Sequence, residues 1–164
     1  MFKKFPSLIA LFQIVGGVLM MVDCGQEMLA QPLHIVQIVL YLLFLLYGGL
    51  MCFYGYRLWR RAKPCHLPSA WLWFAQAPFI HSGFFSFQLT TGLSVSAVIE
   101  FRTDGLSFGI DSLLAQRHIL FVGGTPIPYI YVGINLFALF CTCTLLKYRE
   151  HMRARYTKQI DSNQ

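Results

Sequence analysis

The sequence predicts an all-α membrane protein: four transmembrane helices, with a small extracytoplasmic β-hairpin element between the third and the fourth. Three observations lead there. First, of 164 residues 56% are hydrophobic and only 12% charged, and the mean hydropathy is +0.55; soluble domains carry about 25% charged residues. Second, four apolar stretches each approach the roughly 20 residues that a helix needs to cross a bilayer. Third, the basic residues are segregated along the chain.

The first span covers residues 5–22, FPSLIALFQIVGGVLMMV, preceded by Lys3 and Lys4. A basic start followed by an apolar core is also the pattern of a signal peptide. A cleavage site is missing, since Met28 stands two positions before Ala30 and Asp23 precedes Cys24, so the segment is expected to remain as an anchor. The second span, 35–56, holds the run IVLYLLFLLYGGLMCFYGY. The third, 69–93, is apolar but interrupted by Gln76, Pro78, His81 and Gln88. Pro78 lacks a backbone donor and kinks or ends a helix. The fourth, 127–146, is entered through Pro126 and Pro128, and proline is well tolerated at a helix start. Four spans and their loops fill residues 1–164 as one membrane domain.

Charge sets the direction. Lys3 and Lys4, then Arg57, Arg60, Arg61 and Lys63, then Lys147, Arg149, Arg153, Arg155 and Lys158 account for 11 of the 13 basic residues. The other two loops hold Asp23, Glu27, Glu100, Asp104 and Asp111. Because Lys and Arg stay on the cytoplasmic side, the expected placement is multi-pass in the inner (plasma) membrane, with both termini cytoplasmic. The net charge of +6 is thereby assigned to lipid head groups, and nucleic acid is not expected as a partner.

Residues 94–122 change pattern. Ala97 to Thr103 is rich in β-branched and aromatic types, Asp104-Gly105 follows, and Leu106 to Asp111 alternates apolar and polar. Two such runs across an Asp-Gly pair are a strong hairpin signal. Leu106, Phe108 and Ile110 then share one side and form the expected partner surface.

The span centres supply the other candidates. Gln13, Tyr47, Gln76, His81 and Asn135 are polar groups at or near mid-membrane, where such side chains are costly unless paired and tend to face the bundle interior. They are the expected ligand-binding layer if there is one; as simple interhelical glue each bond would contribute about 0.6 kcal/mol. Glycines Gly16, Gly17, Gly48, Gly49 and Gly55 read as close helix approach.

Catalytic chemistry finds no support. No nucleophile elbow surrounds the serines, no histidine or cysteine spacing makes a metal site, and no carboxylate lies within a span. The size and layout resemble the membrane enzymes that generate disulfides and pass electrons to quinone, but those carry paired cysteines in their outer loops, and the loop after span three has none. The sequence therefore points to a non-enzymatic protein without cofactor, whose partners are the lipid bilayer and another membrane protein or a second copy of itself. The alternative is a small-molecule binder or carrier built on the polar layer.

Overall fold

In the computed structural model the chain is described over residues 5–30, 35–60, 65–82, 85–91, 93–103, 105–114, 117–122 and 129–161. Its elements are α1 (Phe5–Ala30), α2 (Ile35–Trp59), α3 (His66–Phe74), β1 (Pro78–His81), β2 (Phe85–Thr90), β3 (Leu93–Arg102), β4 (Gly105–Leu114), β5 (Arg117–Val122), β6 (Tyr129–Asn135) and α4 (Leu136–Asp161). The strands form one antiparallel sheet in the order β4-β3-β6-β1-β2-β5.

This overturns the all-α four-helix expectation. Among the described residues only α1 and α2 are long and apolar enough to cross a membrane. The stretch expected as span three is the nine-residue helix α3 followed by β1 and β2. The stretch expected as span four is β6 running into the first turns of α4. The physical reason is periodicity. Phe85-Ser86-Phe87-Gln88-Leu89-Thr90 and Tyr129-Ile130-Tyr131-Val132-Gly133-Ile134-Asn135 alternate with period two, which suits a strand. A mean hydropathy over the same window cannot see that alternation. Pro78, without an N–H, closes the helical register and opens β1 instead.

The β-element is also larger than a hairpin. β3 and β4 do pair over ten positions, from Leu93↔Leu114 to Arg102↔Gly105, but β3 pairs on its other side with β6. Gly105 pairs with Arg102 and so belongs to β4, not to the Asp104-Gly105 turn expected; Asp104 lies outside the described residues. Gly105, at φ +147°, opens β4 in a region that other residues rarely adopt.

Chain length forces the sheet to curl. β4 and β5 are its two edges, yet Leu114 and Arg117 are three Cα steps apart, at most about 11 Å. The edges of a flat six-stranded sheet would stand about 24 Å apart at the usual strand spacing. The sheet must therefore bend until its edges approach at that end.

The α1–α2 pair organises the rest. Gly17 lies against Gly48, and Gly55 against Ala10 and Ile14, so the two helices are antiparallel and Phe5 and Trp59 share one end. Beside that half of the pair, Ile9, Ala10, Met51 and Leu58 join Cys65, Ala70, Trp73, Ala138, Cys141 and Leu145 of the α3–α4 side in one apolar core. T-shaped ring contacts Phe12–Phe137 at 5.6 Å and Trp73–Phe137 at 5.7 Å run through it. Beside the other half stands the sheet: Leu89 packs with Met20 and Cys24, and Thr91 presses on Gly16.

Candidate functional site

The sheet has two faces of opposite character, and their placement is the reverse of the usual one. Side chains alternate along each strand, and the pairings align them across strands. Phe108 stands opposite Ile99 and Ile99 opposite Val132; Leu106, Phe101 and Ile130 form the next row; Ile110, Ala97 and Ile134 the one before. These nine positions form a continuous apolar lattice over three strands, and all nine are exposed. Exposure is greatest on β4, at 60% for Leu106, 76% for Phe108 and 80% for Ile110. The same face continues through Ile80 to Phe87 and Leu89, where the α1–α2 pair covers it with Met20, Cys24, Tyr41 and Phe44. One part of the apolar face is thus seated on helices and the other is bare.

The opposite face is polar and inward. Ser86, Gln88, Thr90, Ser94, Ser96 and Asn135 are buried. His81 Nε2 and Gln88 Oε1 are 2.9 Å apart, and Ser94 and Ser96 hydroxyls 2.8 Å apart. Phe79, His81 and Tyr131 cluster with ring centroids 5.8 to 6.2 Å apart. At the β4 side an open cavity of about 250 Å³ is lined by Val98, Glu100, Ser107, Gly109, Asp111 and Tyr131, with Phe108 and Ile110 at its border. Arg102 donates to Glu100 at 2.8 Å, and Ser107 at 3.2 Å. That guanidinium contact holds the Glu100 carboxyl below the ordinary carboxylate value.

The five polar candidates of the expected midplane layer separate into distinct roles. Tyr47 Oη donates to the Leu72 carbonyl, and Gln76 Nε2 donates to the same carbonyl at 3.4 Å, so these two meet. Gln76 Oε1 accepts from Thr91 N at 2.9 Å and Thr91 Oγ1 at 2.8 Å, tying the end of α3 to the start of the β2–β3 connection. His81 sits on the polar face of β1. Asn135 is the N-cap of α4: its Oδ1 accepts from Ala138 N at 3.1 Å, satisfying one of the free donors of a helix start, and its own N–H donates to Ala77 O at 2.7 Å. Gln13 is fully buried, and neither amide atom has a partner among the described residues; Asn135 Nδ2, Ser69 Oγ and Trp73 Nε1 share that condition. None of the five lines either described cavity.

A second cavity, about 440 Å³, lies between the first turn of α1 and α4, lined by Pro6, Phe140, Thr144, Lys147, Tyr148 and His151. Sequence reasoning missed it because its walls come from opposite ends of the chain. The one legible signal was the 140, 144, 147, 148, 151 spacing, which is one face of a helix. Neither a family model nor a curated protein nor a solved structure matches this chain.

Proposed function

We propose that the chain is a multi-pass inner-membrane protein, anchored by α1 and α2 with both termini cytoplasmic, that acts through contact with another membrane protein and not by catalysis. The bare apolar lattice of β3, β4 and β6 is the contact surface, and that lattice is the observation that carries the reading. Exposed apolar patches of this kind mark protein or membrane interfaces.

Three features support the setting. Only 11% of the most apolar part of α2 is buried, whereas a helix belonging to a soluble core would be mostly covered. The antiparallel pair brings Arg57 and Arg60 to the end that also carries Lys147 and Arg149, with Asp23 and Glu27 toward the other end, in line with retention of basic residues inside. The sheet turns its polar side chains in and its apolar ones out, which suits an apolar surrounding.

A protein fits the lattice better than lipid alone. β4 is an edge strand, paired only with β3 among the described residues. Its outer N–H and C=O groups need partners in an apolar setting, and an added strand supplies them while lipid does not.

The test is a photo-crosslinking residue at position 108 in living cells. A protein adduct of defined mass is expected, lost on Ile110→Glu while the folded chain stays in the membrane fraction. Adducts to lipid alone would sink the contact reading. A second reading, a small-molecule binder using the polar layer, draws on the buried Gln13 amide and Asn135 Nδ2, which have no partner among the described residues. Native mass spectrometry of the gently extracted protein, with a bound small molecule lost on Gln13→Leu, would favour it.

A further inference from the structure

The 440 Å³ crevice at the α1–α4 junction is built differently from the sheet, and it combines two chemistries. One part of its wall is apolar: Pro6 from the first turn of α1, and Phe140 of α4, whose ring also meets Phe5 edge-on at 6.3 Å. One to three turns further along α4 the lining becomes polar and cationic, through Thr144, Lys147, Tyr148 and His151. Lys147 and His151 are four residues apart and so share a helix face. Tyr148 is braced from outside by His66, ring centroids 5.1 Å apart.

We propose that this crevice holds one anionic phospholipid, its acyl chain along Pro6 and Phe140 and its phosphate between Lys147 and His151. The inference rests on the membrane reading above. Charge complementarity names the ligand: an apolar slot that ends in a lysine and an imidazole matches a molecule with a hydrocarbon tail and a phosphate at one end. Position agrees. Pro6 belongs to the end of the α1–α2 pair that carries Arg57 and Arg60, and the exposed apolar side chains Leu8 and Leu11 follow directly on α1. The cationic rim thus lies where an apolar helix surface gives way to a basic one, the level of lipid head groups. Lys147 in the lining favours an anionic head group over a zwitterionic one, since each cation near such a surface contributes about 1 kcal/mol.

The experiment uses the full chain in detergent, with phosphatidylglycerol or phosphatidylcholine added at equal concentration and retention read by native mass spectrometry. One phosphatidylglycerol per chain is expected, held at least about fivefold more than phosphatidylcholine, as one cation's contribution implies. The double variant Lys147→Gln, His151→Gln abolishes the preference, and Lys147→Arg keeps it. Thr144→Trp, which fills the slot without changing charge, lowers retention of both lipids; an unchanged circular dichroism spectrum confirms that each variant is folded. Equal retention of the two lipids, or a preference indifferent to these substitutions, overturns the proposal. So does displacement of the lipid by millimolar inorganic phosphate, which would mark a simple anion site. Alkaline extraction of native membranes separates the two levels: a chain that is washed off refutes the membrane reading itself, whereas an embedded chain without head-group preference refutes only the lipid site.

Discussion

Gly17 of α1 lies so close to Gly48 of α2 that a Cβ on Gly17 would stand 2.6 Å from the Gly48 carbonyl oxygen and 2.8 Å from Cys52 Sγ. The backbone oxygen cannot yield without moving a whole helix. Gly17→Ala is therefore expected to destabilise the protein by about 1–3 kcal/mol, the usual cost of overpacking. Gly49 faces open space, so Gly49→Ala is expected to be neutral or to stabilise by up to about 1 kcal/mol through helix propensity. Thermal unfolding in one detergent compares the two; equal loss would mean that the glycine contact does not hold the pair.

Gln76 serves three elements at once, with Thr91 donating to its Oε1 and its own Nε2 reaching Leu72 O and Met51 Sδ. Gln76→Leu leaves the buried Thr91 N–H without an acceptor, at an expected cost of about 1–3 kcal/mol. Tyr47→Phe leaves the Leu72 carbonyl with its Gln76 donor and should cost no more than about 1 kcal/mol. Denaturant titration of both variants ranks them, and the reverse order would contradict the assignment.

Phe79 lies across Gly133, where a Cβ would meet the ring at 2.1 Å. Gly133→Ala must displace the ring or part β1 from β6, and a clear drop in melting temperature is expected. Phe79→Leu in the same chain should recover part of it. A double-mutant cycle with no coupling would show that the ring and the glycine do not share this space.

His66 gives an acid sensitivity of known direction. Burial and, after it, Arg149 lower its pKa in the folded chain. The unfolded chain then binds the proton first, near the ordinary value of about 6.5. Stability is full at neutral pH, declines as pH falls below that point, and levels off once the folded form is protonated too. His66→Phe should flatten the decline, and Arg149→Gln should shrink it. Melting temperatures between neutral pH and about pH 5 read the effect; an unaltered slope in His66→Phe would assign the sensitivity elsewhere.

What the sequence determined by itself is local. The apolar lengths of α1 and α2, the close-packing role of Gly17, Gly48 and Gly55, and the common face of Leu106, Phe108 and Ile110 all follow from composition or from spacings of a few residues. Hydropathy alone misread residues 78–90 and 129–135, because a half-buried strand with aromatic and β-branched side chains is as apolar on average as a membrane helix. What only the tertiary structure decided is long-range pairing. β3 meets β6 some thirty residues later, so that Ile99 lies beside Val132, and this joins separate strands into one apolar lattice. Asn135 was tied to Ala77 and Gln76 became a three-way tie through partners far along the chain, and Pro6 and His151 came to line one cavity. Such contacts depend on which surfaces the folded backbone brings together, and no periodicity within a short window encodes that choice.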